Sequence, residues 1–94
     1  MSQWFLYVLE TADGTFYTGI TTDLTRRIAA HNAGKGAKYT ALRRPVRLLA
    51  AWQTTDRSAA TRLERAFKRL PRLQKQRYID NSTAAFQDAL RVSD

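Results

Sequence analysis

The chain has 94 residues, of which 44% are hydrophobic and none is cysteine; this leaves room for one domain, 1–94, with a modest core and excludes disulfides and thiol-based metal or nucleophile chemistry. The longest apolar run, Trp4 to Leu9, is far too short to span a bilayer, and no basic segment followed by an apolar one opens the chain as a secretory signal would, so a soluble, cytoplasmic protein is expected. The net charge of +8 is unevenly spread: fifteen of the sixteen Lys and Arg lie between Arg26 and Arg77, where only Asp56 and Glu64 are acidic, a distribution that suits a polyanion such as nucleic acid.

Trp4 to Leu9, aromatic and β-branched with little polar relief, reads as a strand, and Thr15 to Ile20 as a second. Ala12-Asp13-Gly14 between them is a hairpin signal. A two-residue Asp-Gly turn would send Tyr7 and Tyr17 to opposite faces of the sheet. A three-residue loop ending in a left-handed Gly14 puts them on one face, which a joint role requires, so that register is predicted. Asp23 is the expected N-cap of a first helix, with Leu24 and Ile28 as its apolar pair. Arg27 and His31 share the i, i+4 spacing and lie beside that stripe, at the edge of the helix–sheet contact. Asn32 to Arg44, punctuated by Gly34 and Gly36, reads as a basic loop.

Val46 to Thr55 reads as a third strand, covered on both faces for much of its length. Ser58 is the expected N-cap of a second helix, with Ala60, Leu63, Phe67 and Leu70 inward and Pro71 ending or kinking it. Arg72 to Ile79 is a candidate short helix. Asn81-Ser82 then caps a last amphipathic helix with Ala85, Phe86, Ala89 and Leu90 inward. The fold class is α+β: a small three-stranded sheet, mixed or antiparallel, flanked by helices.

Few residue types here can carry chemistry. One histidine and no cysteine leave no His/Cys metal cluster, and there is no phosphate-binding glycine loop. A hydrolase on this chain relies on Tyr, Arg, Lys, one or two carboxylates and a divalent ion. Glu64 flanks Ala60 and Phe67 on the helical wheel and so faces the sheet edge. Alone it reads as an i, i+4 ion pair with Lys68, or as a hard ligand for an ion within a phosphate-attracting surface. Arg27 can present its planar fork to a phosphate, and His31 reads as a packed histidine or a substrate contact. Tyr7 and Tyr17 read as core aromatics, or as phenols whose pKa a cationic pocket lowers, which would let one act as general base.

Leu6-Tyr7-Val8, Tyr17-Thr18-Gly19, Leu24-Thr25-Arg26-Arg27 with His31-Asn32, and Glu64 form an ordered set that resembles the GIY-YIG nuclease domain over roughly Trp4 to Ile79. Gly34-Lys35-Gly36-Ala37-Lys38-Tyr39-Thr40, followed by Arg44-Pro45-Val46, is similar to the small single-domain bacterial, YhbQ-like members. It is also similar to the nuclease subunit of the eukaryotic endonuclease that cuts branched DNA. The resemblance implies phosphodiester hydrolysis with Tyr7, Tyr17, Arg27, His31 and Glu64 as catalytic residues. Glu64 would hold one Mg²⁺ (or Mn²⁺), Tyr7 would be the general base, Arg27 would stabilise the phosphate, and Gly19 would allow close backbone approach. Thr18 stands where the family has an apolar residue. The family's asparagine about a dozen residues after the glutamate is missing from Gln74-Lys75-Gln76, where Gln76 is the candidate substitute.

Lys35, Lys38, Arg43, Arg44, Arg72 and Lys75 are the expected backbone-tracking residues, and Tyr39 the candidate for stacking on an unpaired base. With no sequence-reading helix, recognition of single-stranded or structured DNA is expected, DNA ahead of RNA. DNA repair, recombination, uptake control and defence are all compatible with it. Two other readings stand beside this one: a non-catalytic nucleic-acid binding module, and a nuclease subunit that needs a protein scaffold.

Overall fold

The computed structural model describes residues 3–93, with side chains described as far as Ser82. Three strands, β1 (Trp4–Glu10), β2 (Phe16–Thr21) and β3 (Arg47–Thr54), form one sheet in the order β2-β1-β3, antiparallel throughout. Four helices follow or separate them: α1 (Leu24–Asn32), α2 (Lys38–Ala41), α3 (Arg57–Lys68) and α4 (Arg72–Ser93).

The hairpin adopts the register that a three-residue loop demands. Gly14 has φ +81°, its N–H donates to the Thr11 carbonyl at 2.9 Å, and the Thr11 N–H donates to the Thr15 carbonyl at 2.9 Å. A side chain at that φ would be strained, which is why glycine ends the loop. The Asp13 carboxylate braces the turn by accepting from the Thr11 and Thr15 hydroxyls. Gly19 therefore lies opposite Tyr7, and Tyr17 opposite Leu9, so both tyrosines face the same way.

Central β1 is buried on both faces because helices cover each. Leu6 and Val8 pack with Ala50, Phe67 of α3 and Ile79 of α4 on one side. Tyr7 and Leu9 pack with Val46 and with Leu24 and Ile28 of α1 on the other. Each fully buried Leu, Val or Phe contributes roughly 1.5–3 kcal/mol. A bulge opposite Val8 and Leu9 leaves Leu49 as the extra residue of β3. The Asn32 side chain fastens α1 to the start of that strand, donating to the Val46 carbonyl at 3.2 Å and accepting its N–H at 2.8 Å.

Three expectations from the sequence are corrected. The stretch 32–44 is not all loop: Lys38–Ala41 forms the short helix α2, whose Ala41 N–H reaches the Ala37 carbonyl. The N-cap of α3 is Asp56, which accepts from the Ala59 N–H at 2.8 Å; Ser58 lies inside the first turn and accepts from Arg62. The carboxylate two residues earlier is the group that reaches the orphan N–H. Asn81 and Ser82 cap nothing, because α4 runs on through them and Ser82 donates to the Ile79 carbonyl at 2.8 Å. No glycine or proline follows Pro71, so nothing interrupts the helix. The inward placement expected for Ala85, Phe86, Ala89 and Leu90 lies outside the described side chains. Among the described residues, no helix is long and apolar enough to cross a membrane.

Candidate active site

The site grows from the face of β1 that α1 covers. Tyr7 is 1% exposed, and its hydroxyl meets two side chains of α1. Asp23 caps that helix by accepting the Arg26 N–H at 3.1 Å, and the turn that follows brings Arg27 and His31 onto one side. Arg27 Nε donates to the Tyr7 hydroxyl oxygen at 3.3 Å, and His31 Nε2 lies 2.9 Å from the same atom. His31 is fully buried, and its Nδ1 lies 2.7 Å from the Thr40 hydroxyl. The Tyr17 ring stands edge-on to His31 with centroids 5.1 Å apart, and 6.4 Å from the Tyr7 ring.

Two glycines make this packing possible. A β-carbon on Gly19 would stand 2.6 Å from the Tyr7 hydroxyl oxygen, and one on Gly36 would stand 2.3 Å from His31 Nδ1. Both distances are inside van der Waals contact, so neither position accepts a side chain without moving the ring it touches.

Burial pushes the Tyr7 phenol above its ordinary value; the Arg27 hydrogen bond pulls the other way but less strongly, and the charges of Tyr17 and Glu64 add to the rise. This corrects the expectation that the cationic pocket lowers it: desolvation outweighs one arginine. His31 is held below its ordinary value, first by burial and then by the neighbouring guanidinium. The resting pair is thus a neutral phenol against a neutral imidazole.

Glu64 projects from α3 with its side chain only 20% exposed, 3.5 Å from Lys68 Nζ, and near enough for its charge to oppose ionisation of Tyr7. It both makes the i, i+4 ion pair and faces the site. Among the described residues no three His, Cys, Asp or Glu side chains cluster as a metal cage. A lone, largely buried carboxylate fits Mg²⁺, which keeps most of its waters and is bound through one or two carboxylates plus substrate phosphate. Lys68 also lines a shallow cleft with Phe16, Tyr17, Thr18 and Tyr39.

The expected nucleic-acid residues separate into two kinds. The side chains of Lys35, Lys38 and Lys75 make no hydrogen bond or ion pair with the described residues. The arginines are engaged within the fold. Arg43 bridges Asp13 at 3.2 Å and the Tyr39 carbonyl at 3.0 Å. Arg44 donates to the carbonyls of Ala41 and Asn32. Arg72 ties α4 to the hairpin through the Gly14 carbonyl at 2.9 Å and lies over the Phe16 ring. Tyr39 stacks on Tyr17 at 6.2 Å, carries the Arg43 guanidinium 3.9 Å from its ring centre, and donates to the Thr15 hydroxyl. Gln76 donates to Asp80 one turn along α4 and makes no hydrogen bond to the tyrosine cluster. Sequence reasoning gave Thr40 and Gly36 no role at the site. The available signal was that both stand within the glycine-punctuated run that follows the chain's one histidine.

An antiparallel sheet whose central strand presents a buried tyrosine to an arginine and a histidine, with a carboxylate from a second helix nearby, defines a small α+β domain with a cationic, aromatic site. The family model described as the GIY-YIG catalytic domain matches residues 3–78, and the chain belongs to this nuclease family. It is 52% identical over 73 residues to the UPF0213 protein Reut_B5558 of Cupriavidus pinatubonensis, covering 78% of this chain and 81% of that one. It is 46% identical over 78 residues to the UPF0213 protein spr1390 of Streptococcus pneumoniae, covering 83% of this chain and 79% of that one. Two solution NMR structures share the fold. The UPF0213 protein BH0048 from Bacillus halodurans has TM-score 0.55 and 45% identity, over 83% of each chain. The protein EF2693 from E. faecalis has TM-score 0.60 and 43% identity, over 86% of each chain.

Proposed function

We propose that this chain is a divalent-metal-dependent endonuclease that hydrolyses phosphodiester bonds in DNA, single-stranded or structured, without reading a base sequence. The observation that carries the reading is the Tyr7 hydroxyl held between His31 Nε2 at 2.9 Å and Arg27 Nε at 3.3 Å. A tyrosine that only filled the core would need one partner, not a cation and a neutral base together.

In this reading Tyr7 is the general base. As water attacks phosphorus, its proton passes to the Tyr7 oxygen while the Tyr7 proton passes to His31 Nε2. The bond from phosphorus to the leaving sugar oxygen breaks, and that oxygen takes a proton from solvent. The Arg27 fork offsets the charge that builds on the phosphoryl oxygens. A Mg²⁺ or Mn²⁺ ion on Glu64 would supply further positive charge at the scissile phosphate. Tyr17 walls the site against His31, and Gly19 lets the Tyr7 hydroxyl reach the strand end. Lys35, Lys38 and Lys75 track the phosphate backbone.

The test is cleavage of single-stranded, duplex and branched DNA at modest salt, with Mg²⁺, Mn²⁺ or EDTA, by the native chain and by Glu64→Ala. Metal-dependent cutting that Glu64→Ala abolishes, with binding kept or tightened, supports the reading. Undiminished cutting by the variant overturns the one-metal mechanism. A second reading, a binding module or a subunit completed by a scaffold, draws on the Gln76 amide being held by Asp80; tight binding with no cutting of any substrate would favour it.

A further inference from the structure

We propose that Thr40 is a positioning residue: its hydroxyl fixes the single imidazole proton of neutral His31 on Nδ1 and so leaves Nε2 free to accept from Tyr7. The effect on cleavage rests on the endonuclease reading; the proton assignment does not.

The donors and acceptors around His31 are buried and can pair in only a few ways. Thr40 and His31 are both 0% exposed, Tyr7 is 1% exposed and none of their buried polar atoms lacks a partner, so in the resting protein the network is completed by protein groups. The Thr40 hydroxyl lies 3.0 Å from the Ala37 carbonyl, which can only accept. It also lies 2.7 Å from His31 Nδ1. With its one hydrogen on Ala37, Thr40 accepts at its oxygen, and Nδ1 must carry the N–H. A neutral imidazole has no second N–H, so Nε2 accepts from the Tyr7 hydroxyl at 2.9 Å. The Tyr7 oxygen in turn accepts from Arg27 Nε at 3.3 Å. Every hydrogen in the series then has an acceptor.

The opposite order fails at its far end. If Thr40 donated to Nδ1, the Ala37 carbonyl would still be satisfied by the Ala41 N–H at 3.1 Å. Nε2–H would then donate to the Tyr7 oxygen, which Arg27 also addresses. The Tyr7 hydrogen would be left with no acceptor among the described residues, and an unsatisfied buried hydroxyl costs about 1–3 kcal/mol. In the resting protein a doubly protonated ring is opposed by burial and by the adjacent guanidinium, so the second proton is held only while Tyr7 takes one from the attacking water.

The fold holds this arrangement from two sides. Helix α2 presents Thr40, and the missing side chain at Gly36 lets the Nδ1 edge of the ring seat against the backbone. The run Gly36 to Thr40 thereby acquires a function: it sets which nitrogen of His31 is bare, and thus whether Tyr7 can release its proton inward. The same hydroxyl-to-imidazole logic fixes tautomers wherever a second partner holds the far nitrogen.

The chain has one histidine, so imidazole ¹⁵N–¹H NMR gives a single pattern. In the native protein at a pH where the ring is neutral, the expected pattern has the proton on Nδ1, the less common form of free neutral imidazole. Thr40→Val should move the proton toward Nε2 and lower the cleavage rate by about 10- to 100-fold. Thr40→Ser, which restores the hydroxyl, should keep the native pattern and cleave within a few-fold of native. A native spectrum with the proton on Nε2 overturns the proposal, as does a Thr40→Val protein with unchanged pattern and rate. If Thr40→Val does not fold, the native and Thr40→Ser spectra still decide it. Absence of any cleavage by the native protein would strike the endonuclease reading, while the NMR pattern would still decide the proton assignment.

Discussion

The Tyr7 hydroxyl occupies the space where residue 19 would carry its β-carbon: that atom would stand 2.6 Å from the oxygen. The two residues face each other across the β1–β2 ladder, so the glycine of one strand is a condition for the tyrosine of the next. The consequence is a sharp dependence of the Tyr7 hydroxyl position on the missing side chain at residue 19.

Gly19→Ala is therefore expected to displace the Tyr7 ring and to lower cleavage by about 10²-fold, the scale of a 1 Å misplacement of a reacting group. Overpacking should also cost about 1–3 kcal/mol of stability. Cleavage rates beside urea denaturation would check both. A variant that cuts at the native rate would show that the Tyr7 hydroxyl position is not needed.

The pH dependence follows from the two shifted groups. His31 lies below its ordinary 6.5 through burial and the Arg27 charge. The unfolded chain therefore takes up a proton near pH 6.5 while the folded chain does not. Stability from this source is complete above pH 6.5, is lost as pH falls toward the depressed folded value, and levels off below it. Cleavage that needs a neutral His31 should have its acid limb below pH 6.5. Tyr7, raised above 10 by burial, adds no change between about pH 7 and 9. Denaturation across pH 5–8 of the native chain and His31→Gln would test the first part, since the variant should lose the step. A kcat/KM profile would test the second.

The basic residues should divide by experiment as they divide in structure. Lys35→Ala and Lys38→Ala are expected to weaken DNA binding and to reduce the salt slope by roughly one each, with stability unchanged. Arg44→Ala should lower stability by about 1 kcal/mol, because it leaves the Ala41 and Asn32 carbonyls without that donor. Fluorescence anisotropy over a salt series, paired with thermal melts, separates the two. Equal loss of binding with no loss of stability in Arg44→Ala would return that arginine to the phosphate-contacting set.

Local rules carried much of the fold. Asp13-Gly14 marked the hairpin but left two registers open, and the left-handed Gly14 that ends a three-residue loop gives the one with Tyr7 and Tyr17 on a single face. Asp23, Leu24 and Ile28 marked α1 with its cap and its buried stripe, and that stripe set Arg27 and His31 beside the sheet. Where two local signals competed, the sequence was ambiguous. Asp56 and Ser58 are both capping residues, and only the geometry of the turn chose the first. Asn81-Ser82 carries a cap signal that the uninterrupted α4 overrides.

By itself, then, the chain determined that basic charge gathers between Arg26 and Arg77, that only Asp56 and Glu64 are acidic within that stretch, and that Arg27 and His31 stand one turn apart on α1. Those are properties of spacing and composition, which a linear chain already holds. Tertiary structure alone decided that Arg43, Arg44 and Arg72 secure loops, that burial raises Tyr7 against its cationic neighbours, and that Thr40 meets His31. Each of these depends on the distance between segments far apart in the chain and on how much water remains between them. Desolvation and hydrogen-bond pairing exist only once the helices have closed over the sheet.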